Sequence, residues 1–255
     1  MSYGEVRYAV DDGVAWLTID RPEARNALSA AVRAGLHAGV ERFVADHTAA
    51  VLVLTGAGDC AFCAGGDLEE MASTGLTVPP PDFVPQFGRT VRVDKPTIAS
   101  VNGIAFGGGF LLAQCCDLVV AAEHARFAIS EVTLGRGAPW AAPLPWLVPP
   151  RVAMEMLLTG EEIDAARARE VGLVNRVVPA GELRVRTQEL ALRIGANAPL
   201  SVRAAKATVR LVAESPLEEA YARAEELWEP VYRSADAQEG PRAFREKRAP
   251  RWRGV

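Results

Sequence analysis

Two glycine-rich segments place the tightest limits on this chain. Residues 63–68 (Cys-Ala-Gly-Gly-Asp-Leu) and 102–109 (Asn-Gly-Ile-Ala-Phe-Gly-Gly-Gly) each follow a short, continuous apolar run and each lead into a helical pattern. The two runs, 50–55 and 97–101, suit strands buried on both faces, as in parallel sheets. A helix over 109–116 separates them from another strand at 118–121, and a further strand is expected at 174–178. Strand–helix–strand alternation of this kind predicts an α/β layer with mostly parallel pairing.

The flanks fill in around that layer. Apolar runs at 6–10 and 14–20 surround Asp11-Asp12-Gly13, a strong hairpin signal. A loop over 21–26 precedes Ser29, a fair N-cap for a helix over 30–45. A helix start is read at 65–72. Residues 75–87 and 136–150 are expected to be irregular, because prolines crowd both. Helical patterns occupy 152–158, 164–171, 182–195, 200–213 and 216–234, with Ser215 expected to cap the last behind Pro216. The chain thus divides into an α/β core over 1–195 and a helical region over 196–255.

Composition excludes several classes. With 49% hydrophobic and 24% charged residues, the chain is neither disordered nor fibrous. Net charge is −4, from 28 Lys and Arg against 32 Asp and Glu, so no overall electrostatic case for nucleic acid exists. Four cysteines are too few for a disulfide framework, and the first residues lack the apolar core of a signal peptide, so the cytoplasm is the expected location. Residues 96–116 carry no charge over 21 positions, but Asn102-Gly103 and the glycine triplet break the run. A buried strand, a turn and a buried helix are expected there, not a membrane span.

Motifs for other chemistries are absent: no phosphate-binding Gly-x-x-x-x-Gly-Lys loop, no Gly-x-Ser-x-Gly elbow and no His-Glu-x-x-His. His37, His47 and His124 read as surface residues. Cys60 and Cys63 have a zinc-knuckle spacing, yet Cys115 and Cys116 are adjacent on a helix and point about 100° apart. The four thiols are expected in the core, with no metal. The glycine turns carry more. Each leads into a helix N-terminus, where unpaired N–H groups and the helix dipole favour an oxyanion. Two tight turns of structural use alone are the bland alternative. Glu131, in the apolar context Phe-Ala-Ile-Ser-Glu-Val, is the candidate acid/base, where desolvation raises a carboxyl pKa. Its bland alternative is a solvated turn residue.

At these residues the chain resembles the crotonase superfamily, the enoyl-CoA hydratase/isomerase group. The likeness runs through Arg-Pro-Glu-Ala-Arg-Asn-Ala-Leu at 21–28, both glycine segments, Leu158-Thr159-Gly160, Val171-Gly172-Leu173-Val174, and Glu239–Phe244 with Glu246-Lys247-Arg248. It implies a spiral of ββα units with a helical end, assembled as homotrimers or dimers of trimers. It also implies a coenzyme A thioester as substrate, with no metal or redox cofactor. By position, the resemblance makes the Gly66 and Gly108 N–H groups the oxyanion donors. It puts Ala24 and Asn26 at the CoA nucleotide, and Ala64, Asp67, Leu68, Leu111 and Trp140 along the substrate. Phe244 and Lys247 are implied to reach CoA, on the same or a neighbouring subunit.

One departure decides between reactions. Two-glutamate hydratases have a glutamate where this chain has Leu111; only the second, Glu131, is present. Hydration divides well between two carboxylates, whereas one suffices for a 1,3-proton shift. The family's 3-enoyl to 2-enoyl isomerases share an apolar residue at that position and a Gly-x-x-Ala-Pro segment after the glutamate, here Gly135-Arg136-Gly137-Ala138-Pro139-Trp140. Isomerisation is therefore favoured. Hydration or dehydration of a specialised acyl group, another thioester reaction, and a non-catalytic acyl-CoA binder stay open. Trp140, Trp146 and Phe83 either line an acyl pocket or pack loops. The basic end, with Arg242, Arg245, Lys247, Arg248, Arg251 and Arg253, suits CoA phosphates or a subunit rim better than RNA.

Overall fold

A computed structural model describes all 255 residues. The hairpin forms as the Asp-Gly turn requires: β1 (Val6–Asp11) pairs antiparallel with β2 (Val14–Ile19). Asp12 and Gly13 both have positive φ, the backbone of a type I′ turn. From β2 onward the large sheet is parallel. β3 (Val51–Gly56) pairs with β2, and β4 (Ala61–Cys63) leaves for a second sheet. β5 (Thr97–Val101) then pairs with β3, and β6 (Ile104–Phe106) joins β4. β7 (Leu118–Ala122) and β8 (Arg126–Ala128) repeat the step. β9 (Ile163–Asp164) closes the small sheet antiparallel to β8, and β10 (Arg176–Val178) closes the large one beside β7. The large sheet therefore runs β1-β2-β3-β5-β7-β10 and the small one β4-β6-β8-β9. Each turn of the chain contributes one strand to each sheet, the ββα spiral that the resemblance implies.

Three helices shape the site. α1 (Ala30–Ala45) is capped by Ser29, whose Oγ accepts from the Val32 amide at 3.2 Å. α2 (Leu68–Thr74) is capped by Asp67, and α3 (Gly108–Cys115) follows Gly107 directly. α4 (Leu144–Leu147), α5 (Pro150–Thr159) and α6 (Ala165–Glu170) follow, and α5 packs against the segment 130–134. α7 (Leu183–Gly195), α8 (Pro199–Glu214), α9 (Leu217–Arg233) and α10 (Ala235–Arg245) complete the chain.

The burial of the large sheet explains its unbroken apolar runs. Leu17, Leu52, Leu54 and Ala99 face a 41-residue core shared with α1 and α3. Val14, Trp16, Val51, Val53, Ile98 and Val120 face the other way, onto Leu183, Leu190 and Ala191 of α7. A strand covered on both faces has no polar alternation to display. No helix is long and apolar enough to cross a membrane. The uncharged stretch at 96–116 is instead β5, β6 and α3, strand, turn and helix in the expected order.

Several expectations need correction. β4, β6 and β8 are strands with no strand signal in the sequence; three residues are too few to show a period. Residues 136–150 are not wholly irregular: a 3-10 turn at Pro139–Ala141 and α4 form there, with prolines at first-turn positions where no N–H is needed. Ser215 does not cap α9. It is extended at the end of α8, and its Oγ accepts from Arg223 Nη1 at 2.7 Å. Cys60 is exposed, while Cys63 and Cys116 lie in the core.

Candidate active site

The two glycine turns meet. Gly65 has φ +99°, and a Cβ there would come within 2.9 Å of Phe106 O and 3.5 Å of the Gly108 amide nitrogen. Only glycine allows this backbone and this approach. The Gly66 amide donates no hydrogen bond within the chain. The Gly108 amide opens α3, where a first-turn N–H has no intrahelical acceptor. Two donors are thus left free on adjoining turns, one at the mouth of each helix.

Glu131 stands against the second turn. It lies in a 3-10 turn, Ser130–Leu134, which follows β8. Gly107 has φ +52°, and a Cβ on it would sit 3.1 Å from Glu131 Oε1. Any side chain at 107 would therefore both strain the backbone and displace the carboxylate. Glu131 Oε2 is buried and has no hydrogen-bond partner. Burial raises its pKa, partly offset by its own backbone N–H. A half-buried carboxyl without a counter-ion, beside two free amides, can take and return a proton next to a developing oxyanion.

The first turn holds a carboxylate of another kind. Asp67 Oδ1 accepts from the Glu70 amide at 3.1 Å, and its Oδ2 takes a 2.6 Å bond from Arg21 Nη1. Those bonds hold its pKa below the usual carboxylate range, the helix amide most and the guanidinium next. Arg21 and Asp67 tie the first loop to α2. The Ala64 amide donates to Arg25 O and the Leu28 amide to Gly65 O, so Ala24 and its neighbours border the first glycine turn.

Other expected site residues scatter. Asn26 is fully buried; its amide donates to Ala57 O and Ala61 O, and its Oδ1 accepts from the Arg21 amide. It shapes the loop and offers no free polar atom to a ligand. Leu68 is exposed, at the outer rim of α2. Leu111 is buried in α3, one turn beyond Gly107, in an apolar setting. Trp140 packs its ring 6.1 Å from that of Phe110. Phe83 stacks under the Arg33 guanidinium at 4.1 Å, and Trp146 is exposed. Phe244 and Lys247 are both exposed at the end of α10, whose chief neighbour is α9. In the basic end, Arg248 is paired with Glu239 and Glu246 at 2.6 and 2.7 Å.

Sequence reasoning missed three residues here. Arg21 signals its role only through Asp67, 46 positions away. Met71 covers the first turn, its Sδ 2.8 Å from where a Gly66 Cβ would be. Arg136 sits in a glycine-rich segment, where a lone arginine is the signal that marks it.

Comparison with known proteins shows the family. The family model described as enoyl-CoA hydratase/isomerase matches residues 9–255. The carnitinyl-CoA dehydratase of Salmonella typhi is 41% identical over 248 aligned residues, covering 93% of this chain and 94% of that one. The solved enoyl-CoA hydratase of Mycobacterium tuberculosis H37Rv superposes with a TM-score of 0.91 at 38% identity, over 99% and 100% of the two chains. That of Bacillus anthracis gives 0.88 at 33%, over 98% and 100%. With the family model matching residues 9–255 and relatives this similar over nearly their whole lengths, the chain belongs to the enoyl-CoA hydratase/isomerase family, the crotonase superfamily.

Proposed function

We propose that this crotonase-type acyl-CoA enzyme moves a proton between C2 and C4 of an enoyl-CoA, converting 3-enoyl-CoA to 2-enoyl-CoA. The observation that carries the reading is one unpaired, half-buried carboxyl, Glu131, on Gly107, with apolar Leu111 where a second carboxylate would be needed for hydration. Glu131 takes the C2 proton, and the C–H electrons pass into the thioester as a dienolate. The Gly66 and Gly108 N–H groups hold the oxygen as its charge develops; losing one such donor costs about 10²–10³ in rate in comparable sites. Glu131 then returns the proton at C4, the carbonyl reforms, and a C2–C3 double bond results. Desolvation suits the carboxyl to this work, since it holds the pKa nearer the operating pH.

A second reading rests on the 41% identity to a protein named carnitinyl-CoA dehydratase. In it, Glu131 takes the C2 proton of a 3-hydroxyacyl-CoA and delivers it to the C3 oxygen, which leaves as water. Incubation of 3-enoyl-, 2-enoyl- and 3-hydroxyacyl-CoA in D₂O, with wild type and Glu131→Gln, separates the two. Appearance of 2-enoyl-CoA from 3-enoyl-CoA, lost in the variant, is the expected result, with the C2 protium carried to C4 and deuterium there only where the Glu131 proton has exchanged with solvent. Faster interconversion of 2-enoyl- and 3-hydroxyacyl-CoA instead replaces isomerisation with the lyase reading.

For assembly we propose a homotrimer or a dimer of trimers. Val209 and Val212 of α8, Tyr221 and Tyr232 of α9, and Phe244 of α10 are all exposed, more than a solvated surface usually shows together. Sedimentation velocity should give the mass of three or six chains, not one.

A further inference from the structure

Three buried side-chain polar atoms in the chain have no hydrogen-bond partner: Glu131 Oε2, Gln114 Oε1 and Arg136 Nη2. The first belongs to the acid/base already described. Gln114 lies on α3 and donates its other end to Trp140 O at 3.0 Å. Arg136 is the unexpected one, because it is a cation. Its backbone amide donates to Glu131 O at 2.8 Å, and its Nη1 donates to Leu76 O at 2.9 Å. No carboxylate pairs with it among the ion pairs of the chain. Burying a guanidinium nitrogen without an acceptor is unfavourable, and anionic groups that accept two of its donors are its best partners.

Its position follows from a closed circuit of contacts. Met71 of α2 lies over Gly66. The Leu76 amide donates to Met71 O, Arg136 reaches Leu76 O, and the Arg136 backbone returns to Glu131. Gly107 joins Glu131 to the glycine turns. Arg136 therefore spans the gap between the end of α2, the helix that leaves the first turn, and the turn that carries Glu131.

We propose that Arg136 recognises an anionic group, a carboxylate, on the acyl chain of the thioester, so that the substrate is a dicarboxylic mono-CoA ester. This deepens the acyl-CoA reading above and rests on it. The Nη2 donor completes its bonding only when such a group arrives, while Nη1 stays on Leu76 and fixes the plane of the fork. A methyl-ended chain leaves that donor unpaired, and a cationic chain is repelled.

Binding and turnover test it separately. Calorimetry compares saturated acyl-CoA esters matched in length, one of each pair ending in methyl and the other in carboxylate, over short and medium chains. The probes bind wild type, Arg136→Met and Arg136→Lys. The expected result is tighter binding of the carboxylate ester by about 10–100-fold at one or more lengths, the range for a charge-assisted hydrogen bond. Arg136→Met should lose that preference and Arg136→Lys should keep part of it. If the carboxylate ester binds no tighter than its methyl partner to wild type at every length, the proposal is overturned, whether or not the variants fold. It is equally overturned if the preference survives in folded Arg136→Met. Proton exchange at C2 in D₂O, followed with the matching enoyl esters, reports on the underlying reading alone. Its absence with both series, alongside intact binding ratios, rejects the proton-transfer function and leaves the carboxylate preference standing.

Discussion

Asp67 and Glu131 stand beside the two glycine turns, yet they are opposites. Asp67 accepts from a helix amide and from Arg21, and its pKa is lowered. Glu131 has a buried oxygen with no partner, and its pKa is raised by burial. The first carboxylate is satisfied and ties the first loop to α2; the second is left unsatisfied, at the point where the proposed reaction moves a proton. Their linkage to pH has opposite signs. For Asp67 the folded pKa lies below the unfolded one, near 3.9 in free peptides. Its contribution is complete above that value and is lost as pH falls through the folded pKa. For Glu131 the folded pKa lies above the unfolded one. Its protonated form is the favoured one in the fold, so stability falls as pH rises through the raised value.

The largest expected effect comes from breaking the reactive side of that pair. Glu131→Gln should lower kcat by about 10²–10⁴, the usual share of a positioned acid/base. Wild-type activity should rise with pH through the raised pKa of Glu131, and the variant's residual rate should lose that limb. At neutral pH the variant should melt no lower than wild type, because it removes a buried charge that the fold leaves unpaired. A steady-state pH profile and a melting curve at two pH values check both halves. A variant that is inactive and also much less stable would mean that Glu131 holds the scaffold as Asp67 does.

Leu111→Glu sharpens the comparison by adding a second carboxylate without a partner. Leu111 is buried in α3 among apolar neighbours. The substitution should cost about 3 kcal/mol of stability at neutral pH, less at low pH, where the new group is neutral. In return, the ratio of hydration to isomerisation should rise, read as 3-hydroxyacyl-CoA formed from 2-enoyl-CoA. If hydration does not rise while the variant stays folded, an apolar residue at 111 is not what selects the reaction.

The same contrast marks how far the sequence could be read. The long elements were legible because burial on both faces left continuous apolar runs, as in β3 and β5, and because Ser29 and the Asp-Gly turn have local mechanisms. The glycine turns were legible as two oxyanion-type helix starts, and Glu131 as an apolar-context carboxyl. What stayed hidden depends on distant partners. Asp67 looks like a ligand residue until Arg21 is seen on it. Asn26 looks like a nucleotide contact until its side chain is found bonded to Ala57 and Ala61. The strands β4, β6 and β8 are three residues each and owe their existence to one another, not to their own propensity. Ser215 satisfied the local rule for a cap, but the end of α8 holds it extended, and its hydroxyl takes Arg223 instead.

The smallest effect expected is on the satisfied side. Asp67→Asn keeps a side chain able to cap α2 but removes the charge that pairs with Arg21. Because the pair is only partly exposed, the loss should be about 1 kcal/mol, and Asp67→Ala, which also removes the cap, should cost about 2 kcal/mol. Chemical denaturation at a series of pH values from neutral into the acid range gives the sign. The wild type's advantage over Asp67→Asn should shrink as pH falls through the lowered folded pKa of Asp67. The two variants should reduce turnover far less than Glu131→Gln does, and through KM more than kcat, since the loop and helix they loosen border the first glycine turn and carry no proton. A fall in kcat as deep as that of Glu131→Gln, with its pH limb gone, would place Asp67 in the proton transfer and erase the division of labour between the two carboxylates.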